Sequence, residues 1–441
     1  MFKTLKNAWK IPELKNRLIF TLLIVILYRL GASIPVPYVA AGAVQSFKAN
    51  AAGILEYLNL LSGSAFSQAT LFALSVSPYI TASIVMQLLT IALPPLEKLS
   101  KQGAEGQKKI NAITRYVTVA LGLITAIGYA FILQKYGMLS FTNDDPAAFF
   151  KYAVMVACYC AGASIIMWLA EKINEFGIGN GISMILFANI VSSLPNVALA
   201  LWKLVFTANG FSIWGLLGAL ACIVIMIAIV MLIVCVTNSE RRIPIQYAKR
   251  VVGRKMYGGQ GTNLPLKVNM TGVMPIIFAS SIASLPATIA AFFDPNGETW
   301  LGWIDNNFTY DTWIYVVINL ILIVAFSYFY VMISFNPVEV ANNIKDNGGS
   351  IPGIRPGRPT SDYIQKVLNR ITTIGAIFLC FISCFPMVVT IIAGYFNWQI
   401  SGIAQIAFGG TSILIVIGVA LETVRELEAQ MTLRNYKGFL D

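Results

Sequence analysis

The chain has 441 residues, 57% hydrophobic and 12% charged, with a formal net charge of +11 and a mean hydropathy of +0.72. Soluble domains carry about 25% charged residues, so the composition excludes a soluble protein and describes a polytopic membrane protein with little outside the bilayer. Histidine is absent, which removes imidazole acid–base chemistry and histidine metal sites.

The N-terminal stretch 1–17 is basic and leads into a full-length apolar run with no small-residue cleavage site, so an uncleaved first span is expected. A spanning helix needs about 20 apolar residues. Ten segments qualify, near 18–37, 71–93, 112–133, 150–170, 180–203, 213–236, 270–292, 313–334, 369–392 and 404–424. Between the first two lies 51–64, whose apolar piece Ile54 to Leu61 is too short to cross. Gly53 and Gly63 bracket it, and Ser62, Ser64 and Ser67 suit a turn. Irregular backbone at membrane depth is tolerated only where protein or a water-filled cavity surrounds it. A half-helix therefore implies a cavity.

Charge sets the expected orientation. Alternating spans leave only Arg29, Lys48, Lys135, Lys151 and Lys203 of the 31 basic residues on one side. The positive-inside rule then puts both termini in the cytoplasm. Ten spans divide into an N-terminal half, 18–203, an external link, 204–212, and a C-terminal half, 213–424, followed by a tail, 425–441. Five spans per half would make the halves an inverted pair, with a working site at their interface. Two inner loops are long, 237–269 and 335–370; the first is strongly basic and the second is also rich in Gly and Pro. Long loops in an otherwise economical chain suggest function.

The spans carry almost no ionisable groups. Arg29, Lys151, Glu171, Lys203 and Glu422 fall at span ends, where snorkelling suffices. Without a mid-membrane carboxylate, a cation-coupled carrier lacks its usual partner for the ion. No phosphate-binding G-x-x-x-x-G-K-[ST] loop occurs, and a serine protease would lack its histidine. Cys158, Cys160, Cys222, Cys235, Cys380 and Cys384 lie in apolar runs as packing residues. No catalytic set, metal or cofactor is implied. Composition alone favours a small-solute secondary transporter.

Motifs reverse that order. SVSPYITASIVMQLLT at 75–90, GIGNGIS at 177–183, RRIPIQYAKR at 241–250, LPLKVNMTGVMP at 264–275, NPVEVANNIKDNGGSIPGIRPG at 336–357 and FGGTS at 408–412 occur in order along the chain. Together they resemble the bacterial SecY family, the channel subunit of the protein-conducting translocon. The resemblance implies an all-α membrane protein: ten spans in two inverted five-helix halves, with the half-helix as a re-entrant plug. It implies passage of unfolded preproteins across the bacterial inner membrane and lateral release of transmembrane segments into lipid. Implied partners are SecE-like and SecG-like small subunits, the SecA motor, the ribosome, signal peptides and lipid.

By the same resemblance, Val76, Ile80, Ile182, Leu186, Ile277 and Ile415 form a pore ring. The pairs Val76/Ile80 and Ile182/Leu186 are each i, i+4 and face one way. The plug comprises Gly53, Ile54, Leu55, Glu56, Tyr57, Leu58, Asn59, Leu60, Leu61 and Gly63; Thr81, Gln87, Ser280, Ser281 and Ser284 lie at a lateral gate between the second and seventh spans. Motor or ribosome docking falls to Arg241, Arg242, Lys249, Arg250, Arg254, Lys255, Arg355 and Arg358. Arg suits this role because its rigid fork of donors matches carboxylate and phosphate.

Overall fold

The computed structural model describes residues 6–40, 59, 62–135, 137–141, 146–207, 210–211, 213–247, 250–252, 255–257, 261–293, 303–304, 307–308, 312–395 and 409–437. Several of its helices begin where the chain supplies a proline or a capping amide. Pro12 opens α1 (Pro12–Gly31), Pro78 lies in the first turn of α2 (Ser77–Ala92), and Pro94 opens α3 (Pro94–Ser100). Proline suits these positions because its missing N–H would be unbonded there anyway. The α2 and α3 axes meet at 103°, broken at Leu93-Pro94-Pro95. Next come α4 (Ala104–Lys135), α5 (Ala148–Phe176) and α6 (Gly181–Val205). Asn180 caps α6 by accepting from the Ile182 and Ser183 amides.

A two-residue hairpin, β1 (Phe206–Thr207) and β2 (Gly210–Phe211), occupies the link expected at 204–212. Then follow α7 (Ile213–Asn238), β3 (Glu240–Tyr247), β4 (Arg250–Val252), β5 (Lys255–Tyr257), β6 (Gly261–Lys267), α8 (Met274–Phe293), α9 (Trp313–Ser334), α10 (Pro337–Asp346), β7 (Gly349–Ser350), α11 (Arg358–Tyr395) and α12 (Gly409–Lys437). Each of the ten expected spans thus has a long helix. Among the described residues, six helices are by themselves long and apolar enough to cross a membrane, or seven if the bent α2–α3 pair is one span. Helix α1 is interrupted by Arg29 and begins with Glu13, Lys15 and Arg17, and α12 carries Glu422, Arg425 and Glu426. Helix α1 nevertheless turns Leu22, Leu23, Ile26, Leu27 and Leu30 outward as an exposed apolar face.

Several boundaries differ from expectation. The second span is helical only from Ser77; residues 62–76 are turns. The expected loop 335–370 is largely helical, because α10 and the start of α11 occupy it. The expected tail is helical to Lys437. The basic loop 237–269 is a β-structure. Strand β3 pairs antiparallel with β6 from Glu240↔Lys267 to Gln246↔Gly261, and with β7 at Gln246↔Ser350 and Tyr247↔Gly349. One sheet therefore joins the two long loops. Its inner face buries Ile243, Ile245 and Leu266 against Ile344, Ile351, Ile364 and Ile371.

Residues 62–76 are irregular backbone inside the bundle, and donors from neighbouring helices satisfy them. The Tyr129 hydroxyl donates to the Phe66 carbonyl at 2.5 Å and the Tyr159 hydroxyl to the Ala69 carbonyl at 3.3 Å. The Leu71 amide donates to Ile34 O at 2.9 Å, and Asn189 Nδ2 donates to Ser75 Oγ at 3.1 Å. Gly162 lets α5 approach this stretch, since a Cβ there would collide with the Leu71 carbonyl. Ser64, Ala69 and Ser75 have φ of +74°, +47° and +50°. Left-handed non-glycine residues cost about 1–3 kcal/mol each and persist only where their surroundings over-determine them.

The sheet yields a prediction. Leu266 is fully buried, so Leu266→Ala should destabilise the sheet by about 2–5 kcal/mol. Limited proteolysis should then show both long loops becoming sensitive together. Cleavage confined to 237–269 would mean that the loops fold independently.

Candidate functional site

The six aliphatic residues expected at a ring come from four helices and belong to or pack against one hydrophobic cluster. Val76, Ile80, Leu186 and Ile415 are buried in one hydrophobic cluster, and Ile182 and Ile277 pack against it half-buried. Val76 and Ile80 mark the start of α2, Ile182 and Leu186 that of α6, Ile277 that of α8, and Ile415 lies on α12. The same cluster takes in Tyr28, Ala65 and Phe72 from the side of the irregular stretch. The Tyr28 and Phe72 rings stack at 5.5 Å.

Against Ile277 and Ile415 lies a cavity of about 620 Å³ that also touches Lys267, Glu422, Arg425 and Glu426. Burial, and then the neighbouring Arg425, hold the Lys267 ammonium below the usual lysine range, while Glu240 and Glu422 oppose them. Arg425 Nη2 donates to the Thr237 carbonyl at 2.9 Å and to Asn238 Oδ1 at 2.8 Å, tying α12 to the end of α7. The charged lining was missed in the sequence, where Glu422 reads as a span end and Arg425 and Glu426 as a tail.

The GIGNGIS stretch is a turn whose amides are capped from several helices. The Ile178 amide donates to Thr21 Oγ1 at 3.1 Å, the Gly179 amide to Glu426 Oε2 at 2.8 Å and the Gly181 amide to Asn174 Oδ1 at 2.7 Å. Thr21 is on α1, Glu426 on α12 and Asn174 on α5. Ala8, Leu14, Ile178 and Leu427 close a small core there. Both terminal segments and this turn thus share one end of the bundle.

Of the expected gate residues, Thr81 donates to Ser77 O, Ser281 to Ile277 O and Ser284 to Ser281 O, all within their own helices. These hydroxyls do not bridge α2 to α8 through those bonds. The bond that crosses runs from α9: the Tyr330 hydroxyl donates to Gln87 Oε1 at 2.6 Å. Phe278 on α8 meets Tyr330 at 5.2 Å between ring centroids. Ser280 is buried on α8. Neither Tyr330 nor Phe278 carries a sequence signal that separates it from other span aromatics.

Of the expected plug, Asn59 and Gly63 are described, whereas Gly53, Ile54, Leu55, Glu56, Tyr57, Leu58, Leu60 and Leu61 lie outside the described residues. Asn59 Oδ1 accepts from the Ser67 amide at 3.0 Å, and its carbonyl accepts from Ser64 N at 3.0 Å. Arg29 departs from the expected snorkelling, because its Nη1 is buried with no hydrogen-bond partner among the described residues.

The basic residues of the long loops separate. Arg241 and Arg242 project from β3, and Arg242 is paired with Glu240 at 2.6 Å. Arg355 is exposed on a turn between Gly353 (φ +81°) and Gly357 (φ +101°), closed by the Thr360 hydroxyl donating to its carbonyl at 2.8 Å. Arg358 is exposed at the start of α11. Arg250 and Lys255 stand on the paired strands β4 and β5, and Lys249 and Arg254 lie outside the described residues.

Comparison with known proteins agrees with this architecture. The SecY family model matches residues 70–424. The Streptomyces galbus protein translocase subunit SecY is 43% identical over 449 residues, covering all of both chains. A solved structure described as that of a protein-conducting channel aligns with TM-score 0.62 and 17% identity, over 95% of this chain and 92% of that one. A second, Sec61 in the canine ribosome-channel complex from the endoplasmic reticulum, aligns with TM-score 0.55 and 15% identity, over 95% and 92%. The chain belongs to the SecY family of protein translocase subunits.

Proposed function

We propose that the aliphatic cluster is the constriction of a pore that passes unfolded polypeptide, with the 620 Å³ cavity as its inner vestibule. The observation that carries this reading is that six aliphatic side chains from four helices share one hydrophobic cluster, two of them, Ile277 and Ile415, also lining that cavity. Aliphatic side chains favour dewetting, so the ring slows ions while deforming around a chain. Ile80→Asn with Ile277→Asn should raise conductance of the resting channel in planar bilayers. An unchanged leak would move the seal elsewhere.

In this reading the two sets of five helices are inverted halves, 18–203 and 213–424, in the bacterial inner membrane, with both termini cytoplasmic. The charge asymmetry supports that orientation. The contact of α2 with α8 and α9 is the lateral gate, and Gln87–Tyr330 is its polar closure. Segment 51–64 is the plug and leaves the pore during transport. A reducible crosslink between it and α6 should block translocation until reductant is added; full transport through the crosslinked channel would make the segment a fixed cap.

The sheet and the Arg355 turn are the docking platform for a motor such as SecA or for the ribosome, and small SecE-like and SecG-like subunits cover the outer helices. The support is an exposed arginine fixed by its turn, since a guanidinium fork suits carboxylate and phosphate partners. Arg355→Glu should abolish SecA-driven import into vesicles while the protein accumulates normally. Normal import would remove Arg355 from the docking site.

A further inference from the structure

The turn that ends the expected plug is seated on α6. A side-chain carbon at Gly63 would stand 2.9 Å from Arg29 Nη1, 2.9 Å from Ser192 Oγ and 3.1 Å from the Asn189 Cα. Gly63 also has φ +62°, which other residues adopt only with strain. The seat is therefore tight by shape. Residues 64–76 on one side of it are held by the tyrosine and asparagine bonds described above. The seat itself is different. It presses a guanidinium nitrogen against backbone, buried and without a hydrogen bond among the described residues. Such a donor pays its full loss of hydration with nothing in return.

We propose that Arg29 is a release residue for this seat. In the resting channel Gly63 packs over Nη1 of the half-buried Arg29 and keeps that nitrogen dry. Once the turn lifts, water reaches Nη1 and restores its hydrogen bonds. Arg29 thus favours the vacated state, whereas the close fit of Gly63 favours the occupied one. The balance keeps the segment shut at rest and yet easy to displace. Arg29 acts by positioning and hydration and touches no substrate in this role. The inference rests on the plug reading given above.

The two sides of the contact should respond with opposite signs. The probe is Ser192→Cys, whose thiol would lie under Gly63, labelled by a membrane-impermeant maleimide in resting channels without substrate. Adding Arg29→Met removes the dry donor and should slow labelling about tenfold, the scale of one unsatisfied buried donor. Adding Gly63→Ala should speed it by a similar factor. Arg29→Lys, which keeps a charge needing hydration, should stay near the parent rate. Ser383→Cys, fully buried between α9 and α11, is the control and should label slowly in every background.

Faster labelling in Arg29→Met would show an ordinary stabilising contact and overturn the proposal, as would no change in either variant. Should Arg29→Met fail to accumulate, Arg29→Gln tests the same donor-rich side and Gly63→Ala the other. Because labelling is read at rest, it is independent of whether the segment leaves during transport. Full transport through the crosslinked channel would remove the moving plug and leave the seat; unchanged labelling with a blocking crosslink would do the reverse.

Discussion

Everything in this molecule depends on keeping non-helical backbone satisfied inside a membrane bundle. A helix bonds its own amides and carbonyls throughout, whereas residues 62–76 do so only in part, as from the Ala69 amide to Phe66 O and the Ser75 amide to Phe72 O, and need outside partners for the rest. Their carbonyls at Phe66 and Ala69 accept from tyrosines on α4 and α5, and the Ser75 side chain accepts from Asn189 on α6. Because the donors come from different helices, the stretch fixes where those helices stand. It also delivers Val76 and Ile80 to the centre at the first turn of α2. The three left-handed non-glycine residues are held only because these surroundings leave no other conformation.

The same device recurs at the other end of the bundle. The glycine-rich turn between α5 and α6 has its amides capped from α1, α12 and α5. Together the two irregular segments hold the first half of α6, the turn at its start before Ile182 and Leu186 and the stretch 62–76 through Asn189 and Ser75. Between the segments the expected ring positions pack as aliphatic side chains within one hydrophobic cluster. A constriction made of packing alone can yield without breaking a bonded network, whereas its supports cannot.

Much of this was legible beforehand, because the bilayer imposes a length and a polarity that hydropathy reads directly. The helices for all ten expected spans follow from that. The strands were less visible. Ile243 and Ile245 alternate with exposed neighbours in β3, which is a strand signal, but Pro244 and the basic residues disguise it and one partner, β7, is remote in sequence. The partners of the gate serines were not legible, because a hydroxyl does not announce its acceptor, and in the structure Ser281 and Ser284 bond their own helix. Tyr330 and Gln87 become a pair only once α2 and α9 are side by side. Arg29 read as a snorkelling end residue, since its burial depends on a turn that arrives later in the chain.

The third strand has a consequence for biogenesis. Strands β3 and β6 can close as a hairpin as soon as residue 267 is made. The edge of β3 at Gln246 and Tyr247 stays open until Gly349 and Ser350 appear, and by then α8 and α9 have been synthesised. The exposed arginine turn follows immediately after those two residues. A nascent copy therefore carries an unfinished sheet from the completion of β6 at Lys267 until Gly349 and Ser350 are made. Completion of that sheet follows synthesis of α8 and α9, so its assembly is timed by the order of the chain itself.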